Sequence, residues 1–112
     1  MPIDGKTDDD IRRILSTIRT IAMVGASQTV GRPSNGVLAF LIDRGFRVFP
    51  INPGLAGKDI HGAPVFASLA DVPGPVDMVD VFRNSQAAGD VIDEVIALPF
   101  KPKVIWLQLG VV

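Results

Sequence analysis

The chain has no cysteine and no tyrosine, and a single histidine and a single tryptophan. The missing cysteine excludes a disulfide framework, a thiolate zinc site and thiol chemistry. With one histidine beside it, the inventory of nucleophiles and general bases is thin. An excess of charge is missing too. Eleven Lys and Arg against twelve Asp and Glu leave a net charge of −1, which offers no footprint for nucleic acid or an anionic membrane. No apolar run reaches membrane-spanning length, and residues 1–20 lack the apolar centre of a secretion signal, so a cytoplasmic location is expected. Repeats and low-complexity tracts are absent. A chain of 112 residues with 47% hydrophobic content is expected to form one domain, residues 1–112, with a loose arm over residues 1–6.

What is there centres on the stretch from Ile21 to Arg44. Residues Thr20 to Val24 read as a short strand buried on both faces. A loop of small residues follows from Gly25 to Pro33, then an amphipathic helix capped by Ser34, with Val37, Leu38, Leu41 and Ile42 on its core face and Gly45 as its stop. A strand leading through small residues into a helix N-terminus suits phosphate. The backbone is approachable there, and free N–H groups and the positive end of the helix dipole face the anion.

Around this stretch the chain alternates. Thr7 reads as the cap of a first helix, with Asp10 completing a capping box and Ile11, Ile14, Leu15 and Ile18 on one stripe. The run Asp8-Asp9-Asp10 belongs to that capping turn rather than to a metal site. Phe46 to Ile51 is a second strand, with pairing expected to fail near Pro50, and Asn52-Pro53-Gly54 is a turn. Residues 55–75 are broken by Gly and Pro, with one helical turn at Ser68 that packs Leu69 and Val72 inward. Val76 to Phe82 is a third strand whose Asp77 and Asp80 are expected near strand ends or sheet edges. Ser85 opens a helix with Ala88, Val91, Ile92, Val95 and Ile96 facing the core, and Lys103 to Leu109 is a fourth strand. The fold expected is α/β, a Rossmann-like three-layer sandwich with a mostly parallel sheet in the order 3-2-1-4. After the apolar end at Val111 and Val112 a further helix and a fifth strand are expected, beyond the residues of this chain. Ligands in such sheets lie outside the carboxyl ends of the strands. That brings Gly25-Ala26-Ser27, Asn52-Pro53, Phe82-Arg83 and Gln108-Leu109-Gly110 to one crevice.

The loop does not fit the commoner nucleotide motifs. Gly25 is followed by five residues before Gly31, then by Arg32-Pro33, so the lysine and hydroxyl of a Walker A loop are missing. The dinucleotide fingerprint needs glycine where Ser27 and Val30 stand, and an acid at the end of the second strand where Asn52 stands. Basic residues near a missing acid, namely Arg32, Arg47, Lys58 and Arg83, suit a phosphorylated ribose.

Five stretches in order carry a resemblance: V-G-A-S (Val24 to Ser27), R-P-S-N-G-V (Arg32 to Val37), G-F-R-V-F-P-I-N-P (Gly45 to Pro53), D-M-V-D-V-F-R (Asp77 to Arg83) and W-L-Q-L-G-V (Trp106 to Val111). Together they resemble the small stand-alone CoA-binding protein family, itself similar to the CoA-binding Rossmann-like domain of the succinyl-CoA synthetase alpha subunit. The resemblance implies coenzyme A or an acyl-CoA as ligand. It implies Gly25, Ala26 and Ser27 at the pyrophosphate through backbone N–H groups and the Ser27 hydroxyl, with Arg32 and Ser34 adding charge and a donor. Asn52 and Pro53 would flank the adenosine 3′-phosphate end with Lys58 nearby; Val81, Phe82 and Arg83 would line the adenine and ribose side; Gln108, Leu109 and Gly110 would border the pantetheine. Plain core packing is the competing account of Val81 and Phe82.

No catalytic constellation is expected. His61 stands in the Gly/Pro-rich linker, and Ser27 has no evident base. The leading expectation is a binding module with a small-molecule CoA ligand, no chemistry of its own, no metal, no nucleic acid and no membrane partner. The rivals are an NAD(P)-type dinucleotide-binding domain of an oxidoreductase, and a ligand-free interaction protein on the same fold.

Overall fold

The computed structural model describes residue 13, residues 16–82 and residues 85–107. The expected arm at residues 1–6, the Thr7 cap, Asp8 to Asp10, Ile11, Ile14 and Leu15 lie outside the described residues, as do Arg83 and residues 108–112. Arg13 and Ser16 are helical, and Ile18 is fully buried.

Four parallel strands form the sheet: β1 (Thr20–Val24), β2 (Arg47–Ile51), β5 (Met78–Val81) and β6 (Val104–Leu107), with α1 (Pro33–Asp43) between β1 and β2 and α2 (Ser85–Ile96) between β5 and β6. A small antiparallel hairpin, β3 (Asp59–Ile60) and β4 (Ala63–Pro64), stands in the linker. Alternation along the strands sends side chains to two cores. Ile21, Met23, Val48 and Met78 pack with Leu38 and Leu41 of α1, while Ala22, Val24, Phe49, Ile51, Val79 and Val81 pack with Val91 and Val95 of α2. The three-layer α/β sandwich of the sequence reading is therefore present.

The strand order is not the expected one. It is β2-β1-β5-β6, or 2-1-3-4 in terms of the four main strands, rather than 3-2-1-4. Pro50 explains much of this. Its carbonyl points outward and accepts from Phe66 N–H, so its nitrogen, which has no hydrogen, also faces outward. A full strand on that side would find no donor there, and Pro50 instead marks β2 as an edge strand covered by the Ile51–Phe66 bridge. The third main strand, β5, then pairs with the free side of β1, Ile21 opposite Met78 and Val24 opposite Val81.

Local details follow from the residue types. Pro33 opens α1 in place of Ser34, because its fixed φ suits the first helical position. Gly45, at φ +90, closes the helix, its N–H donating to Ile42 O while Phe46 N–H donates to Leu41 O. The turn expected at Ser68 is a 3-10 turn, Leu69–Asp71, with Leu69 and Val72 buried. Asp77 lies at the start of β5 as expected, but Asp80 is 2% exposed in mid-strand, between Met23 and Trp106 on neighbouring strands, and not at an edge. Ile96, expected in the core, is 75% exposed in the last turn of α2.

Candidate functional site

In the observed order the chain reverses direction across the sheet between β1 and β5, so the crevice of such a fold opens at the carboxyl end of β1. The loop from Gly25 to Arg32 leaves β1 there and enters α1. Gly25 has φ +87, a conformation L side chains rarely adopt.

The loop is held by two asparagines. Asn52, at the end of β2, donates its Nδ2 to Ala26 O at 2.8 Å, and its Oδ1 accepts from Gly54 N–H at 2.9 Å. Asn35, in the first turn of α1 and 6% exposed, donates its Nδ2 to Ser27 O at 2.9 Å. A trans peptide directs its C=O and the following N–H oppositely. Clamping the carbonyls of Ala26 and Ser27 therefore turns the N–H groups of Ser27 and Gln28 away from the two asparagines. Neither N–H has an acceptor among the described residues.

The expected donors are thus partly reassigned. The N–H groups of Gly25 and Ala26 both donate to Ile51 O, at 3.1 and 3.3 Å, and are engaged within the fold. Ser27 Oγ accepts from Thr29 N–H at 3.1 Å and keeps its own proton to donate. Arg32 and Lys58 are exposed, with no side-chain hydrogen bond or ion pair among the described residues. Ser34 is fully buried in the second position of α1, its Oγ without a hydrogen-bond partner among the described residues. Pro53 is exposed beside Asn52.

Val81 and Phe82 are placed in the two cores. Both are completely buried, Val81 in the α2-side core and Phe82 in the α1-side core, with Phe82 N–H donating to Val24 O at 2.8 Å. Val81 ends the inner strand β5, and Phe82 follows it into the core under α1. Arg83, Gln108, Leu109 and Gly110 lie outside the described residues.

A cavity of about 170 Å³ opens between Gly25, Pro53 and Ser68 on one side and Asp90 and Glu94 of α2 on the other. Its two carboxylates would repel an anion placed between them. A larger cavity of about 510 Å³ lies farther along α2, between Leu69 to Pro75 and Ala97 to Phe100. Among the described residues no group of three His, Asp or Glu is placed to hold a metal ion, and no helix is long and apolar enough to cross a membrane.

Sequence reasoning does not single out Asn35 or His61 as a site residue. Asn35 stands inside the R-P-S-N-G-V stretch, one residue after Ser34, and that position is the available signal.

Residues 19–112 match the CoA binding domain family. The chain belongs to that family. It is 34% identical over 103 residues to the protein YneT of Bacillus subtilis, covering 92% of this chain and 73% of the relative. A solved Thermus thermophilus structure superposes with a TM-score of 0.85 at 40% identity, covering 96% of this chain and 78% of that one. An acetate–CoA ligase (ADP-forming) of Archaeoglobus fulgidus is 30% identical over 78 residues, 68% of this chain but 11% of the ligase. The bifunctional protein PyrR of Leifsonia xyli is 40% identical over 77 residues, 65% of this chain and 42% of the relative. This member of the CoA binding domain family thus spans less than half of that PyrR protein and about a ninth of the ligase.

Proposed function

We propose that this protein binds coenzyme A or an acyl-CoA at the carboxyl end of β1, with no chemistry of its own. The observation that carries the reading is the loop clamped by Asn52 and Asn35, which presents the Ser27 and Gln28 amides at a helix N-terminus. Membership of the CoA binding domain family supports the choice of ligand, as does the ligase similarity. Pyrophosphate oxygens meet those amides and the Ser27 hydroxyl, and Arg32 supplies charge at the helix entrance. Lys58, on the linker that follows Asn52 and Pro53, serves the 3′-phosphate end. Binding without turnover fits a chain with no cysteine or tyrosine and one exposed histidine.

Thermal unfolding with CoA, acetyl-CoA, NAD, NADP and ATP at equal concentration tests this. A ligand that binds the folded state alone stabilises it by RT ln(1 + [L]/Kd). CoA or acetyl-CoA is expected to raise Tm most, with no thioester hydrolysis or acyl transfer above a protein-free control. A larger shift with NAD or NADP would move the reading to a dinucleotide domain. A flat response to all five would favour the ligand-free interaction protein.

A further inference from the structure

A polar contact links the hairpin to Asn35 in α1, the residue that holds the Ser27 carbonyl. His61 occupies the β3–β4 turn at φ +51 and is the one non-glycine residue with positive φ among the described residues. Its Nε2 lies 3.0 Å from Oδ1 of Asn35. The direction of that bond is determined by the next one. The Ser27 carbonyl can only accept, so Nδ2 of Asn35 faces it, and Oδ1 is left to accept from His61 Nε2–H. His61 therefore holds the Asn35 amide in the one orientation that can bind Ser27 O.

We propose that His61 is a positioning residue for the ligand loop, acting through Asn35 on the Ser27–Gln28 peptide. The proposal rests on the CoA-binding reading above. Released from His61, the Asn35 side chain can rotate. The Ser27 carbonyl then loses its anchor, and the Gln28 amide is no longer pre-aimed at a phosphate oxygen. Loss of pre-organisation appears as weaker binding without loss of fold. The left-handed conformation of the turn fits the same account. A glycine would adopt that turn without strain, yet the side chain there reaches Asn35 in α1.

The test uses His61→Asn, which tolerates the left-handed turn but is too short to reach Asn35. Four proteins are titrated with CoA by calorimetry: wild type, His61→Asn, Asn35→Ala and the double variant. His61→Asn is expected to weaken CoA binding about five-fold, as suits one hydrogen bond, with the fold retained and Tm lowered by about 4 °C. The double variant should bind no more weakly than Asn35→Ala alone, because the effect of His61 passes through Asn35. In ligand-free protein, the Ser27 and Gln28 amide resonances should move in His61→Asn. Wild-type affinity in that variant, additive losses in the double variant, or unmoved amide resonances would each overturn the proposal. Failure of the wild type to bind CoA would instead overturn the ligand reading, and the amide resonances would still decide whether His61 sets the loop.

Discussion

Asn52 donates to the carbonyl of Ala26 across 2.8 Å, joining the carboxyl end of β2 to the loop that leaves β1. Its other amide atom accepts from Gly54 N–H, so both ends of the side chain are used. This explains why the residue at the end of the second strand is not an acid. A carboxylate could serve Gly54, but it would turn an oxygen toward Ala26 O. The position that a dinucleotide domain gives to a ribose-binding acid is here committed to holding the loop.

Asn52→Asp is therefore expected to cost about 1–3 kcal/mol of stability, through a lost hydrogen bond and an opposed carbonyl. CoA affinity should fall with it, and NAD affinity should not rise. Urea unfolding and parallel CoA and NAD titrations measure both. An Asn52→Asp variant that stays stable and gains NAD binding would show that the position is a ligand contact and not a clamp.

Gly25 gives a second expectation. At φ +87 any side chain is strained, and the residue's N–H is engaged by Ile51 O. Gly25→Ala should lose about 1–2 kcal/mol from the left-handed backbone alone. As the loop shifts to relieve that strain, CoA binding should fall at least ten-fold. Circular dichroism establishes that the variant is folded before titration. Wild-type affinity in folded Gly25→Ala would place the ligand away from this loop.

Much of this fold was legible in the sequence because burial and periodicity reported it directly. Ile21 to Val24 reads as a strand because both cores need its side chains, and Gly45 reads as a helix stop because a left-handed residue is required there. The strand order was less legible, since apolar content does not say which side of β1 a strand joins. Pro50 held the needed information, but its meaning depends on which way its nitrogen points. The candidate loop was legible as a segment but not atom by atom. Composition marks a loop from Gly25 to Pro33, yet only the fold shows that Ile51 O takes the Gly25 and Ala26 amides. Asn35 and His61 meet from 26 positions apart, through a hairpin too short for periodicity to reveal.

The opposite end of the sheet gives a pH expectation. Asp77 is held below the usual carboxylate value of 3.8, first by the Arg19 N–H at 2.8 Å, with Thr20 N–H and the Lys103 ammonium adding to it and burial opposing. A depressed pKa in the folded state means the unfolded chain takes up the proton first as pH falls. The stabilisation from Asp77 is thus complete above the unfolded value near pH 4 and is lost as pH falls through the lower folded value. Asp77→Asn should be less stable by about 1 kcal/mol at pH 7. It should also lose part of the wild-type decline in stability below pH 4. Urea titrations at pH 7, 4 and 3 check this, and an unchanged acid profile in Asp77→Asn would count against it.

Arg32 separates charge from geometry at the loop. It precedes Pro33 at the entrance to α1, is exposed, and has no carboxylate partner among the described residues. Its removal should leave folding stability within about 0.5 kcal/mol of wild type, as for an exposed side chain away from any cap bond. CoA affinity should fall several-fold at low ionic strength if the guanidinium meets phosphate. Raising salt from 0.05 to about 0.5 M shortens the screening length and should close the gap between wild type and Arg32→Ala. Arg32→Lys should recover part of the affinity, since it restores charge but not the bidentate fork. The same titrations with dephospho-CoA locate the contact. If Arg32 serves the pyrophosphate, the variant loses as much affinity for dephospho-CoA as for CoA. A loss confined to CoA would assign Arg32 to the 3′-phosphate and leave the pyrophosphate to the Ser27 and Gln28 amides. A gap that does not close with salt would mean that Arg32 acts through loop shape and not through charge.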